Sequence, residues 1–122
     1  MLGTREVADR YVGAFRAGRM DHALRLASPD VVRVAPLEPG GAEHHGLDDI
    51  MTHSQQLNAD LEIHAVTVEG PFVGGDRFAV RFTFDETDHG AGGHRRTTTK
   101  QSLYTVTDGA ITREEVFYLD RA

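Results

Sequence analysis

The sequence has no cysteine, so disulfide bridges, thiolate metal sites and thiol nucleophiles are all excluded. It also lacks an excess of positive charge: the formal net charge is −6, and the basic stripe that phosphate binding needs is not visible. No apolar run approaches membrane-spanning length, and the amino-terminal segment MLGTREVADRYV lacks the apolar core of a signal peptide. These absences argue against nucleic acid and membranes as partners and predict a cytoplasmic protein.

Lysine is nearly absent as well. Lys100 is the only lysine among 13 basic residues, and biased codon usage is the simplest account of that imbalance. The remaining composition is ordinary for a globular protein, with 39% hydrophobic and 26% charged residues. A chain of 122 residues without repeats, linkers or low-complexity segments predicts one domain, residues 1–122, that buries roughly two-thirds of its unfolded surface.

The first half of the chain has mainly helical spacing. Thr4 is a plausible N-cap, and Val7, Tyr11 and Phe15 recur at helical intervals before Gly18 ends the helix. The pattern then predicts, in order, a short helix from Asp21 that stops at Ser28-Pro29, a β-branched strand over Asp30–Pro36, a loop over Leu37–His45 and a helix over Leu47–Asn58.

The second half alternates with the period of a β-strand. Leu61–Glu69 places His64, Val66 and Val68 on one face, and Gly70-Pro71 breaks or bends that strand. Arg77–Asp85 is the clearest strand, and its apolar face consists of Phe78, Val80, Phe82 and Phe84. The order of segments predicts an α+β domain in which three helices pack on a mostly antiparallel sheet.

Thr97–Asp120 is predicted to form a long hairpin, and the turn decides which way each side chain points. One possibility is a two-residue Asp108-Gly109 turn of type I′. The other is a three-residue loop from Thr107 with Gly109 as a left-handed bulge, which differs by one residue of register. The longer loop is preferred because it gathers large apolar side chains, namely Leu103, Ile111, Phe117 and Leu119, on one face.

The opposite face of this hairpin mixes aromatic and ionisable groups. It consists of Lys100, Ser102, Tyr104, Val106, Thr112, Glu114, Val116 and Tyr118, with Ser102 opposite Glu114 and Tyr104 opposite Thr112. A sheet with one apolar and one mixed face suggests a packed interface on one side and a pocket on the other.

This order of segments resembles the nuclear transport factor 2-like superfamily, particularly its ketosteroid isomerase and SnoaL-like polyketide cyclase branches. The resemblance runs from RYVGAFRAGRMDHAL through DVVRVAP, His45-Gly46 and Gly70-Pro71 to LYTVTDGAITREEVFY. It implies an α+β barrel shaped as a cone, in which a curved sheet wraps around a helix and encloses a pocket. It also implies a homodimer formed through the outer face of the sheet.

The resemblance further implies which side chains line the cone. Tyr11 matches the first-helix tyrosine of the isomerase, and the second oxyanion donor falls near Ser102. Ala35 stands where the isomerase has its aspartate base, and a methyl group cannot take a proton. The other implied pocket residues are Phe15, Ser54, His64, Val66, Val80, Phe82, Phe84, Lys100, Tyr104, Val116 and Tyr118.

The catalytic candidates are His53, Glu114 and Tyr11. By alignment with the family, His53 and His64 both point toward the cone, and imidazole titrates near neutral pH. Glu114 is an acid or base if it faces the pocket, where Lys100, one diagonal step away, would favour its charged form. Two alternatives remain open for Glu114: a solvent-accessible structural ion pair with Lys100, or a register that turns it to water.

No metal site is expected, because the adjacent side chains of His44-His45 rarely bind one ion and no carboxylate spacing completes a site. The leading hypothesis is a cofactor-free acid–base enzyme acting on an apolar, oxygen-bearing small molecule such as a polyketide or a terpenoid. His53 or Glu114 would move a proton, and Tyr11 would stabilise a developing oxyanion. The alternative is a non-catalytic ligand-binding or dimerisation module with the same cone.

Overall fold

The computed structural model describes residues 1–119, and within them three α-helices and six strands form the predicted α+β fold. The helices are α1 (Thr4–Arg16), α2 (Met20–Leu24) and α3 (Leu47–Asn58). The strands are β1 (Ala27–Val34), β2 (Glu43–His45), β3 (Leu61–Gly74), β4 (Arg77–Asp88), β5 (His94–Thr107) and β6 (Ala110–Leu119). In this part of the chain, no helix is both long and apolar enough to span a membrane.

Three boundaries in the first half differ from the sequence prediction. Gly3, not Thr4, is the N-cap of α1. Ser28-Pro29 does not stop a helix but lies inside β1. The pairing of β1 with β6 is interrupted at this point, so the strand tolerates a proline that has no N–H to donate. The predicted loop Leu37–His45 contains β2, which pairs with the end of β1.

The strands form one sheet in the order β2-β1-β6-β5-β4-β3, with β1 parallel to β6 and every other pair antiparallel. The helix α1 lies on the concave face and packs mainly against β3 and β4. Its buried stripe meets the inner face of the sheet in a core formed by Val7, Ala8, Val12, Val31, Phe78, Val80, Phe82, Tyr104, Val106 and Ile111. Burial of each large apolar side chain contributes roughly 1.5–3 kcal/mol.

The turn of the last hairpin is the two-residue type, so the preferred three-residue loop was wrong. Thr107 pairs with Ala110, and the two residues between them have positive φ: 50° at Asp108 and 78° at Gly109. This is the backbone geometry of a type I′ turn, whose twist matches that of the flanking strands.

A bulge one step further along restores the predicted faces. Val106 pairs with Ile111 and Thr105 with Arg113, which leaves Thr112 as an extra residue. Beyond the bulge the inner face carries the predicted residues, but their partners are shifted by two positions: Ser102 lies opposite Val116, and Tyr104 lies opposite Glu114.

The same bulge exchanges two neighbouring side chains. Ile111 is buried in the core instead of lying on the outer face, and Thr112 takes no part in the core. Asp120, the predicted end of the hairpin, lies outside the described residues.

Candidate functional site

The concave face of the sheet, which we call the interior, contains two distinct groups of side chains. The aromatic cluster lies under α1 and consists of Tyr11, Phe15, Phe78, Phe82 and Tyr104. The ionic cluster lies beside β1 and β6 and consists of Arg33, Glu38, His53, Glu114 and Tyr118. The helix α3 packs on β1 and β2 and brings His53 into the ionic cluster.

Arg33 bridges two carboxylates. It lies beside Glu114 in the parallel pairing of β1 with β6, and its Nε donates to Glu114 Oε1 at 3.0 Å. Nη1 and Nη2 donate to the two oxygens of Glu38, Nη2 at 2.8 Å. Burial alone would lower the pKa of Arg33, but hydrogen bonds to Glu38 and the charge of Glu114 outweigh it and raise the pKa. The guanidinium is therefore a fixed cation.

Glu38 is the centre of the ionic cluster. Its side chain is 1% exposed, and its carboxylate accepts hydrogen bonds from both Nη atoms of Arg33, from His53 and from the Tyr118 hydroxyl. Burial would raise the pKa of this carboxyl, but the bonds from Arg33 and Tyr118 outweigh burial and lower the pKa to about 2. Glu38 is consequently an anion at neutral pH with both oxygens occupied.

His53 is oriented by Glu38. Its Nε2 lies 3.0 Å from Glu38 Oε1, and because that carboxylate is ionised, Nε2 carries the proton. Gly40 packs against the same ring so closely that a Cβ there would lie 3.2 Å from Nδ1. The φ of Gly40 is also positive, at 93°, so a glycine is required for both reasons.

A second histidine, His44, packs against one face of the His53 ring. The imidazole of His44 stacks on His53 with ring centroids 3.9 Å apart. His44 Nδ1 lies 3.2 Å from Asp49 Oδ2, whereas His44 Nε2 is buried without a hydrogen-bond partner among the described residues. His53 is thus fixed on one edge by Glu38 and on one face by His44.

Two phenols meet next to Glu114. The hydroxyls of Tyr11 and Tyr104 are 2.8 Å apart, and Tyr104 lies opposite Glu114 in the sheet. Burial, followed by the charge of Glu114, raises the pKa of both tyrosines above the usual value. Both groups therefore keep their protons at neutral pH and can donate hydrogen bonds.

The predicted pair between Lys100 and Glu114 does not form. Lys100 lies opposite Tyr118, four residues along β5 from the position opposite Glu114, which is about 13 Å of strand. Its Nζ instead lies over two aromatic rings, 4.8 Å from the centroid of Phe82 and 5.7 Å from that of Phe84. Burial lowers the pKa of Lys100, the charge of Glu114 opposes this, and the charge of Arg33 adds to it.

The structure separates the other predicted pocket residues into three groups. Those buried under α1 or at the centre of the sheet are Ala35, Val80, Phe82, Ser102, Tyr104 and Val116; the partly buried ones are Phe15, Phe84, Lys100 and Tyr118. Ser54 is exposed and accepts a hydrogen bond from Asn58, and Val66 is 42% exposed beside Phe84.

His64 points away from the cone, so its expected position was wrong. It is the extra residue where β3 pairs irregularly with β4, between Ile63 and Ala65. Its Nε2 lies 2.7 Å from Thr87 Oγ1, on the outer face that also carries Asp85. Alternation counted back from Val66 and Val68 places His64 on the inner face. The bulge adds one residue at this point, so the side chain of His64 lies on the outer face instead.

Arg33, Glu38 and His44 were not identified from the sequence, although partial signals existed. Arg33 alternates with the buried residues Val31 and Ala35 and so shares their face. Ala35-Pro36-Leu37-Glu38 has proline at the second position of a β-turn, and Ala35 O does accept from Glu38 N at 3.1 Å. That turn sends Glu38 back toward β1, but no local pattern predicts its four donors.

Two surface grooves lie outside the interior. One, of about 430 Å³, is on the outer face and includes Thr67, Thr83 and Asp85; the other, of about 510 Å³, runs between α1 and α2. Among residues 1–119, no buried ionisable group lines either groove, so we place the candidate site at the ionic cluster. Within residues 1–119, no three histidine or acidic side chains are arranged to hold a metal ion.

A family model and a solved structure point to the same family. Residues 8–114 match the family model described as a SnoaL-like domain. A structure from Mesorhizobium loti, provisionally named a SnoaL-like polyketide cyclase with carbohydrate phosphatase as an added designation, is 34% identical. The alignment covers 96% of this chain and 100% of that one, with a TM-score of 0.88. No functionally curated protein matches the chain.

Two further structures share the fold at lower identity. A provisionally named polyketide cyclase from Pseudomonas putida is 23% identical over 97% of this chain and 92% of its own, with a TM-score of 0.68. A nuclear transport factor 2-like protein from Burkholderia thailandensis is 13% identical over 97% and 92%, with a TM-score of 0.82.

Proposed function

The chain belongs to the SnoaL-like domain family, and on that premise we propose that it is a small-molecule enzyme of the cyclase, isomerase or hydrolase type. Its chemistry is proton transfer without a cofactor, on an apolar, oxygen-bearing substrate such as a polyketide or a terpenoid held in the interior. The observation that carries this proposal is the unequal engagement of the two carboxylates on Arg33.

Glu114 is the carboxylate to which we assign proton transfer. Arg33 holds its Oε1, whereas no hydrogen bond of residues 1–119 occupies its Oε2, and the side chain is 15% exposed. Glu38 has both oxygens occupied and a pKa of about 2, so it stays ionised and acts on its neighbours instead. The two glutamates therefore have different roles: Glu114 transfers a proton, and Glu38 positions Arg33, His53 and Tyr118.

The phenol pair and His53 complete the proposed machinery. Tyr11 and Tyr104 supply protonated hydroxyls near Glu114, where a carbonyl oxygen would gain negative charge as the adjacent carbon loses a proton. His53, oriented by Glu38, is the second proton carrier.

Proton abstraction can be tested without knowing the natural substrate. Apolar cyclic ketones are incubated with the protein in deuterium oxide, and exchange next to the carbonyl is followed by NMR. Glu114→Gln is expected to slow the exchange at least 100-fold, the usual contribution of a general base. Glu115→Gln is the matched control, because the adjacent Glu115 contacts Arg113 instead of Arg33. Equal exchange rates in both variants would exclude Glu114 as the base.

A second candidate function is a non-catalytic ligand-binding module, and Ala35 favours it. By the family resemblance, this buried methyl group stands where the isomerase has its base, so we expect no appreciable conjugation of an unsaturated ketosteroid in an ultraviolet absorbance assay. Ligand retained on the purified protein in native mass spectrometry, without any proton exchange on ketones, would favour this alternative. Ketosteroid turnover that survives Glu114→Gln would show that the base lies elsewhere.

We also propose a homodimer through the outer face of the sheet. Phe117 is 52% exposed there, and Leu103 and Leu119 are partly exposed on the same face, although Ile111 has moved to the core. A contiguous apolar patch is rarely left in contact with water. Light scattering is expected to give a dimer mass that falls to the monomer mass in Phe117→Asp. A monomer mass for the wild type at every concentration would contradict the proposal.

A further inference from the structure

Lys100 is a lysine in an unusual place. It is the only lysine of the chain, and it points into the interior between Phe82 on β4 and Tyr118 on β6, its neighbours across the sheet. No carboxylate of the described residues pairs with its Nζ, which lies instead over the rings of Phe82 and Phe84. The amine is therefore half-buried against aromatic rings, and no carboxylate of the described residues holds its proton by direct contact.

From this placement we infer that Lys100 is a nucleophilic amine that forms an imine with an apolar aldehyde or ketone in the interior. The inference rests on the proposed use of the interior for small molecules and assigns that site a substrate class. Phe84 and the 42% exposed Val66, which lie side by side in adjacent strands, supply an apolar surface next to Nζ for the body of such a molecule.

Burial of Lys100 favours the neutral amine that the reaction needs. Burial lowers the pKa of Lys100 and outweighs the charges of Glu114 and Glu38, which oppose the lowering, while the positive charge of Arg33 adds to it. A desolvated lysine near another cation is a recognised arrangement for a nucleophilic amine. The fraction of Lys100 that stays protonated is stabilised by the cation–π contact with the Phe82 ring, since no carboxylate of the described residues pairs with it.

The reaction is balanced without an oxidant or a reductant. The Nζ lone pair attacks the carbonyl carbon, the carbonyl oxygen takes up a proton, and the product is a carbinolamine. Loss of water then replaces the C=O bond with a C=N bond, and both N–H hydrogens of the amine leave in that water. The imine draws electrons from the neighbouring carbon, which makes its hydrogens more acidic.

The single lysine makes the inference easy to test. Folded protein is treated with benzaldehyde and sodium cyanoborohydride near neutral pH, and the reduced adduct is located by digestion and mass spectrometry. Arg5→Lys provides a reference amine in the same molecule, because position 5 is exposed on α1. A lower pKa leaves more of the amine neutral at a given pH, so we expect the ratio of the labelling rate at Lys100 to that at position 5 to exceed one in the folded protein.

Two controls separate this inference from the proposed function. In concentrated urea, the two amines should react at similar rates, since the interior no longer exists. Benzyl alcohol, which has no carbonyl, reports by ligand-observed NMR whether the interior accepts apolar, oxygen-bearing molecules at all. If benzyl alcohol binds but Lys100 reacts no faster than the reference amine, the inference is wrong and the proposed function stands. If benzyl alcohol does not bind and Lys100 is unreactive, both are wrong.

Discussion

The two clusters of the interior are held together in different ways. The aromatic cluster consists of ring contacts with centroids 4.7–6.0 Å apart, each of them weak and none depending on a single atom. In the ionic cluster, four hydrogen bonds converge on one carboxylate, that of Glu38. The first arrangement distributes its stability over many contacts, and the second concentrates it on one residue.

This difference matters for what each region can do. Ring contacts have little directional preference, so they form an apolar surface but do not fix the orientation of a neighbouring group. A carboxylate that accepts four hydrogen bonds fixes the direction of Arg33, His53 and Tyr118 at once. Fixed orientation is what a site of proton transfer needs, and it makes this region sensitive to single substitutions.

The largest effect is expected from Glu38→Gln. The amide has the same shape as the carboxylate but no charge. Its NH2 group is a donor, and it would face one of the donors that the carboxylate oxygens accept from. Arg33 is then left without its closest buried counterion, so we expect a loss of about 3–5 kcal/mol in the free energy of unfolding, measured with urea. The control is Glu69→Gln, at an exposed glutamate of β3, which should change stability by less than about 0.5 kcal/mol. Similar effects of both substitutions would show that stability is not concentrated on Glu38.

The next largest effect concerns acid. The pKa of Glu38 is lowered from 4.5 to about 2, so the unfolded chain binds a proton more readily than the folded one between those values. The stabilisation is present above pH 4.5 and is lost as the pH falls toward 2. Its size is of the order of 3 kcal/mol, because each pKa unit corresponds to about 1.4 kcal/mol and a 1% exposed side chain is little screened by solvent.

Stability against urea from pH 5 to 2 measures this dependence. Glu38→Gln should reduce the slope of the curve over that range, whereas Tyr11→Phe should leave its slope unchanged. A curve that keeps its slope in Glu38→Gln would assign the acid sensitivity to other carboxylates.

A smaller effect is expected in the aromatic cluster. Tyr11→Phe preserves every ring contact but leaves the buried Tyr104 hydroxyl without its partner, at a cost of about 1–2 kcal/mol. Removing both hydroxyls, with Tyr11→Phe and Tyr104→Phe together, should recover part of that loss, because neither phenol is then left without its partner. Thermal denaturation of the four proteins completes the cycle, and strictly additive losses would contradict the hydrogen bond.

The aromatic cluster was largely predictable, and the ionic cluster was not. Helical spacing identified Val7, Tyr11 and Phe15, and alternation identified the inward face of β4, because both patterns are local and repeat along the chain. The family resemblance contributed His53 as a residue that points inward. Its partner Glu38 lies in a segment without any period, and the pairing of Lys100 with Glu114 was wrong because it required the register of two strands.

The last hairpin shows how far a local pattern extends. Alternation determined which residues of β5 and β6 share a face, and that set is correct beyond the bulge. It did not determine which residues are opposite each other, since a two-residue turn plus one bulge gives the same faces as a three-residue loop with a different register. Only the positions of both strands in space distinguish the two.

The sequence by itself determined the periodic elements, the α+β class and the apolar faces, because each depends on side chains a few residues apart. The tertiary structure alone decided the partners of Arg33, Glu114 and Lys100, because a charge pairs with whichever group the fold brings within about 3 Å, at any distance along the chain. Glu38 and Tyr118 are 80 residues apart in the sequence, and no local pattern of residues predicts their hydrogen bond.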